Sequence, residues 1–296
     1  MTMVGTETTD LVQAFLAAKR VAGCSTRTLA NYGYWLAKFA GCAGPSPDSL
    51  AVHRFMTTLQ EAGLSVSSRH TALRTLRAFY RWARRAGLVE QDPTATVELR
   101  LPKTLPHVPT DEELRAVLRA CPDTFTGRRN RALLLVMADT GLRASEVLNL
   151  LVEDWNPMER SLFVRRGKGS KDRTVFASPT TARALRDYLS MRRSLAREDF
   201  LFTDESNRPL KRRHLVAILH RLSARAGLPP NRRIHPHSLR HFAATSWLRH
   251  GMTLEETRRL LGHETLSTTL RYSSLVGADL QRAHRRVGAV ERALLD

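Results

Sequence analysis

His237 and Arg240 stand three residues apart in His-Ser-Leu-Arg, directly after Pro236. Proline suits the first helical position, and residues three apart share a helix face, so this imidazole and guanidinium point the same way. Such a pair can move a proton near neutral pH and fork N–H donors onto an oxyanion. Alone, it is more often structural. His263 follows Gly262, a glycine placed to end a helix, where a His can simply complement the dipole. Lys168 sits at the tip of an expected hairpin, where Lys is ordinary, and Arg143 just after Gly141 could be a plain surface charge. Tyr272 is one of five tyrosines and in isolation an ordinary aromatic.

The order of these groups carries more than any one of them. The chain reads Thr-Gly-Leu-Arg-Ala-Ser-Glu-Val-Leu from Thr140, then Gly-Lys-Gly-Ser-Lys-Asp-Arg from Gly167. His-Ser-Leu-Arg-His-Phe-Ala-Ala-Thr follows from His237, and Leu-Gly-His-Glu-Thr-Leu-Ser-Thr-Thr-Leu-Arg-Tyr runs from Leu261 to Tyr272. This succession closely resembles the tyrosine recombinase (phage integrase) family, particularly its compact Xer-like members. The resemblance is almost continuous from about Pro106 to Tyr272 and looser over the first ninety residues. By it, Arg143 matches the family's first catalytic Arg and Lys168 its hairpin Lys. His237 and Arg240 match the His-x-x-Arg pair, His263 the second His, and Tyr272 the nucleophile. Glu146, one turn beyond Arg143, matches an acidic position that orients that Arg.

The resemblance implies phosphoryl transfer through a covalent enzyme intermediate, which conserves the energy of the broken phosphodiester. A phenol has a reference pKa of about 10, so a base must take its proton, and His237 is the candidate. Arg143 and Arg240 would fork onto the non-bridging oxygens as charge builds there, with His263 as a further donor. Lys168 would protonate the leaving 5′-oxygen. These groups take the role a divalent metal plays in other phosphoryl transfers, so no cofactor and no metal are expected.

The elements that must position these groups are mostly helical. Four amphipathic segments fill the first ninety residues. Leu11, Phe15 and Leu16 mark the first, Leu29, Tyr32, Leu36 and Phe39 the second, entered through Ser25 or Thr26. The third covers residues 50–62, and the fourth, about 67–86, opposes Leu73, Leu76, Phe79, Tyr80 and Ala83 to a face of arginines. Prolines at 93, 102, 106 and 109 suggest an extended linker over 91–109. Beyond it come a helix capped by Thr110 and Glu113, a buried helix over 131–140 closed by Gly141, and a β-hairpin over 161–177. Helices are expected over 181–196, 210–226, 236–250 and 254–261, with a last one from about Gly277. The expected fold is mainly α. A helical N-terminal domain (residues 1–90) and an α+β catalytic domain with a small antiparallel sheet (residues 110–296) flank the linker. By resemblance these are a SAM-like core-binding domain and a DNA breaking-rejoining fold.

Composition agrees with a polyanionic partner. The 296 residues hold 47 Lys and Arg against 28 Asp and Glu, a net charge of +19. Residues up to Thr104 carry 13 basic and 7 acidic groups, and the rest 34 and 21, so both parts could grip the same polymer. By resemblance, the second and fourth N-terminal helices face DNA, which singles out Arg27, Arg69, Arg74 and Arg77. The resemblance also picks Lys211, Arg212 and Arg213 at the start of a helix, and Lys171 and Arg173 are candidates because they flank the hairpin tip. Each could equally be a solvated charge, and phosphate contacts would not specify sequence. Cys24, Cys42 and Cys121 lack metal-ligand spacing and fit a reducing cytosol. With no secretory signal and no apolar stretch longer than residues 132–138, a cytoplasmic, nucleoid-associated protein with no membrane partner is expected.

The resemblance thus implies a site-specific recombinase that works on duplex DNA through a 3′-phosphotyrosine and a Holliday junction. It would act as a homo-tetramer, or as a hetero-tetramer with a paralogue. Leu280, Val287, Val290 and Leu294 of the last helix could dock on a neighbour or on their own domain. No additional arm-binding domain is expected before the first helix, which disfavours a large lambda-type integrase. The alternatives are a type IB topoisomerase-like enzyme, which shares the chemistry without exchanging partners, and a non-catalytic DNA-binding regulator on the same fold.

Overall fold

The computed structural model describes residues 5–43, 48–101, 107–165, 172–192, 195–263, 265 and 269–270. Lys168, Lys171, Tyr272 and the helix expected from Gly277 lie outside the described residues. The chain divides into two compact units, Met1–Thr104 and Leu105–Asp296.

Among the described residues the first unit holds four helices: α1 (Gly5–Val21), α2 (Thr26–Ala43), α3 (Ser49–Glu61) and α4 (Val66–Arg85). Short polar side chains start three of them, because the first N–H groups of a helix have no internal partner. Ser25 Oγ accepts from the Thr28 N–H, Asp48 from Ala51 and Ser65 from Ser68. α4 buries Ala72, Leu73, Leu76, Phe79, Tyr80 and Ala83. Its opposite face exposes Arg74, Arg81, Arg84 and Arg85. Phe15 meets Phe79 edge-on at 5.5 Å, and Phe39 meets Phe55 at 5.2 Å. Residues 92–97 are not extended. The Asp92 carboxylate accepts from the N–H and hydroxyl of Thr94, turning the chain so that Val97 enters the core at 4% exposure. Arg77 Nη2 then donates to the Val97 carbonyl at 2.6 Å. The prolines punctuate this stretch, but one buried valine and its turn tie it to the helices.

The second unit is built around α6 (Phe125–Thr140), whose Ala132, Leu133, Leu134, Val136 and Met137 are fully buried. α6 packs against α8 (Pro179–Leu189) and α10 (Pro236–Arg249). It starts before residue 131 because Thr124 Oγ1 accepts from the Gly127 N–H, adding a polar turn to the apolar run. α5 (Asp111–Arg119) begins at the reciprocal Thr110–Glu113 cap read from the sequence. The five-residue α7 (Ala144–Leu148) and the short strand β1 (Trp155–Asn156) were not foreseen. β1 adds antiparallel to the hairpin of β2 (Ser161–Val164) and β3 (Arg173–Phe176), in the order β1-β2-β3.

α8 stops at Leu189, well short of 196, because Arg192 is drawn inward to the Phe200 carbonyl (2.8 Å) and Asp199 (3.1 Å). That contact folds the chain back to bridge Leu151 with Phe200. α9 (Arg212–Arg225), α10 and α11 (Leu254–Leu261) are the remaining helices of this unit among the described residues. Cys24, Cys42 and Cys121 are unbridged. Among the described residues no helix is long and apolar enough to cross a membrane.

Candidate active site

The C-terminus of α11 organises the site. Gly262, at φ +63°, closes this helix in the left-handed conformation. The last carbonyls of any helix lack internal donors and carry the negative end of its dipole. Here three consecutive ones face three arginines from distant parts of the chain. Leu260 O accepts from Arg173 Nε at 2.8 Å, Leu261 O from Arg240 Nη2 at 2.7 Å, and Gly262 O from Arg143 Nη2 at 3.0 Å. Arg240 is only 3% exposed, and its Nη1 donates to the Gly141 carbonyl at 2.8 Å. Gly141, at φ +62°, ends α6, and a Cβ there would lie 2.9 Å from Leu261. A glycine is therefore needed to let the ends of α6 and α11 approach over Arg240.

Arg143 is the residue just before α7, and its backbone N–H donates to Glu146 Oε2 at 2.8 Å. Its Nη1 reaches Glu146 Oε1 at 2.8 Å, so the carboxylate holds both the backbone and one side-chain nitrogen of Arg143. Glu146 is 5% exposed. Burial pushes its carboxyl up, but the hydrogen bonds and charge of Arg173, and then the hydrogen bonds of Arg143, overcome this and hold it at about 2.

His237 lies in the first turn of α10 with its ring reaching solvent. Partial loss of water, and then the guanidiniums of Arg212, Arg240 and Arg143, hold it below the usual imidazole range. A lowered value leaves the ring neutral at pH 7 and able to accept a proton. His237 and Arg240, three residues apart in α10, share one face of that helix. His263 is 8% exposed, and its Nδ1 pairs with Thr269 Oγ1 at 2.9 Å. Arg258 Nη1 donates to the His263 carbonyl at 2.8 Å, fixing the backbone from which the imidazole projects. Arg143, His237, Arg240 and His263 are thus gathered where α6, α10 and α11 converge.

This geometry accompanies a match of residues 108–276 to the model of the phage integrase family, a span that includes Tyr272. Residues 11–88 match the N-terminal SAM-like domain of phage integrases. The chain belongs to the phage integrase family. It is a compact, Xer-like tyrosine recombinase. It is 32% identical over 285 residues to the tyrosine recombinase XerA of Pyrococcus furiosus, covering 96% of each chain. It is 37% identical over 249 residues to the tyrosine recombinase XerD of Xanthomonas axonopodis pv. citri, covering 80% and 81%. Among solved structures it resembles that of the XerA recombinase, with TM-score 0.55, 25% identity and 95% and 98% of the two chains covered. The fold is also that of the Tn1549 transposon integrase in complex with transposon right end DNA. That match has TM-score 0.75 at 19% identity and covers 97% of this chain and 100% of the other.

The other positions singled out in this tyrosine recombinase fall into different settings. Lys211, Arg212 and Arg213 are exposed at the start of α9, and Arg212 is the one whose charge reaches His237. In the first unit Arg27 is exposed in the first turn of α2. Arg74 and Arg77 line a groove between α2 and α4 with Thr28, Asn31, Tyr32 and Arg81, the last of which was not singled out. Arg77 also holds the Val97 carbonyl, and Arg69 donates to Gln60 Oε1.

Arg173 does not stand out toward solvent beside the hairpin tip. Its side chain is 10% exposed, and it forks onto Glu146 with Nη1 to Oε1 at 3.1 Å and Nη2 to Oε2 at 2.8 Å. The signal was in the strand period: Arg173 is two residues from the buried Val175, so it shares the inward face of β3. Thr269, Arg258 and the carbonyls of α11 were also missed. Backbone acceptors carry no residue-type signal.

Proposed function

We propose that this recombinase cuts one strand of duplex DNA at a specific site through Tyr272 and rejoins it to a partner duplex. The Tyr272 phenol oxygen attacks the scissile phosphorus, and the bond to the 5′-oxygen breaks. The product is a 3′-phosphotyrosine and a free 5′-hydroxyl. His237 accepts the phenol proton and Lys168 donates one to the departing oxygen. Attack by the 5′-hydroxyl of the partner reverses these transfers. Two rounds of such exchange pass through a Holliday junction.

The observation that carries this reading is the fixing of Arg143 and Arg240 on adjacent carbonyls beside a neutral His237. Guanidiniums held in place before the reaction stabilise charge on the phosphoryl oxygens without reorganising, which is where electrostatic catalysis gains most. Arg143 Nη1 and Nη2 each carry two hydrogens, and the described bonds use one of each. The remaining edge suits a phosphate. His263, steadied by Thr269, supplies a further donor. The charge these groups supply makes a divalent metal unnecessary, and no cofactor is required.

DNA is held by both units. Arg69, Arg74 and Arg77 on α4, with Arg27 on α2, act through the first unit. Lys171, Lys211, Arg212 and Arg213 act through the second, and the net charge of +19 supplies the sequence-independent part of the affinity. The working assembly is a tetramer on two recombination sites, in the cytoplasm with access to the nucleoid. A two-site substrate tests the reading in EDTA. Products joining ends of different duplexes, absent with Tyr272→Phe, are expected. Activity that disappears in EDTA and returns with Mg²⁺ would contradict the metal-free mechanism. Supercoil relaxation without exchanged ends would assign the chain a nicking-closing activity instead.

A further inference from the structure

Among the described residues the Glu146 carboxylate has two partners: Arg143, through its backbone N–H and one side-chain nitrogen, and Arg173. Arg173 takes both carboxylate oxygens, whereas the Arg143 side chain reaches only Oε1. Arg173 also reaches the Leu260 carbonyl and lies flat under the helix end, so that a Cβ on Gly262 would meet its Nη1 at 3.0 Å. One guanidinium therefore ties together β3, α7 and the last turn of α11. The next two carbonyls after the one this strut holds, Leu261 and Gly262, are the ones that hold Arg240 and Arg143.

We propose that Arg173 is a positioning residue for strand cleavage: by occupying Glu146 and the Leu260 carbonyl it keeps Arg143 aimed at the scissile phosphate. This rests on the reading that Arg143 neutralises charge on that phosphate. A buried carboxylate with one arginine gains most from a two-pronged pair. Without Arg173, Glu146 would take both ends of Arg143, pulling Nη2 off the Gly262 carbonyl and turning the guanidinium inward. With Arg173 in place, the second prong is already filled, and Arg143 stays one-handed on Glu146 with its other nitrogen on α11. Lysine cannot replace it, because one ammonium cannot fork onto a carboxylate and reach a carbonyl behind it. Displacements of about 1 Å in catalytic groups can cost about a hundredfold in rate, so a residue that never touches DNA can matter this much.

The test compares Arg173→Met, Arg173→Lys and Arg143→Ala on two suicide substrates. One has an ordinary scissile phosphate. The other has a methylphosphonate, in which a methyl replaces one non-bridging oxygen and the negative charge is gone. Covalent adduct formation is timed on each, with DNA affinity measured in parallel. On the phosphate, Arg173→Met should be slower by on the order of 10²-fold with affinity nearly unchanged, and Arg173→Lys should be nearly as slow. On the methylphosphonate both deficits should shrink several-fold in parallel with that of Arg143→Ala, because the charge Arg143 answers is no longer there. A deficit for the Arg173 variants that is equal on both substrates, while that of Arg143→Ala shrinks, would overturn the proposal and leave Arg173 a merely structural strut. If the deficit of Arg143→Ala fails to shrink as well, the underlying reading of Arg143 falls and the proposal with it. Thermal melts identify a misfolded Met variant, in which case the Lys variant, which keeps the charge, decides by the same ratios.

Discussion

Arg240 is 3% exposed and directs two N–H groups at the carbonyls of Gly141 and Leu261, whereas Arg74 and Arg81 on α4 stand in water along an open groove. Both sets belong to a strongly basic chain, and composition alone gives them equal weight. Their surroundings do not. At the end of α11 three guanidiniums meet three backbone oxygens and one buried carboxylate, so each side chain has lost its rotamer freedom before any substrate arrives. Along α4 Arg74 and Arg81 are exposed, and in the proposed function what they would contribute is affinity that salt screens. In the proposed function one residue type would thus serve rate at one place and attachment at another, and the dividing variable is what the protein has already bonded to it.

The largest expected effect comes from removing a fixed guanidinium. Arg240→Ala should slow adduct formation by on the order of 10²–10³-fold, the usual cost of one transition-state donor, while changing DNA affinity little. Equal losses in rate and affinity, read from adduct timing and a binding titration, would erase the distinction between the two sets. Glu146 comes next. Its carboxyl is held at about 2, below its ordinary value of 4.5, so its contribution to stability is fully present above about pH 4.5 and is lost as pH falls through about 2. Glu146→Gln should therefore cost roughly 3 kcal/mol at neutral pH, and the gap to the native protein should close between pH 4.5 and 2 in denaturant titrations. A gap independent of pH would mean that the carboxylate is not the charge the arginines answer. The smallest effect belongs to the groove. Arg74→Ala should weaken binding modestly and uniformly across sequences and lower the salt slope of log K by about 1, with the cleavage rate of bound DNA unchanged. A changed cleavage rate at saturation would place this groove in the chemistry.

Much of this was legible in the sequence, for reasons that can be named. The apolar period of α4, the Thr110–Glu113 cap and the Gly141 and Gly262 stops are local patterns, and local physics fixed them. Arg143, His237, Arg240 and His263 were singled out through the order of motifs, and the structure brings Arg143 and Arg240 onto the end of α11, directly before His263. What stayed hidden depends on partners far away in the chain. Arg173 reads as a hairpin charge until Glu146, 27 residues earlier, is seen beside it. Val97 reads as linker until Arg77, 20 residues earlier, is seen on its carbonyl. α8 reads as continuing until Arg192 finds the Phe200 carbonyl. In each case a long side chain chose a backbone or carboxylate oxygen that no spacing rule announces.

Trapping the covalent intermediate tests the central claim most directly. A duplex nicked just beyond the cleavage site loses its short 5′-hydroxyl fragment after attack, so the joined enzyme accumulates and can be digested and mapped. The account predicts one DNA-linked peptide, carrying the 3′-phosphate on Tyr272, formed in EDTA and absent from Tyr272→Phe. A linkage to another residue, or an adduct that survives Tyr272→Phe, would contradict it.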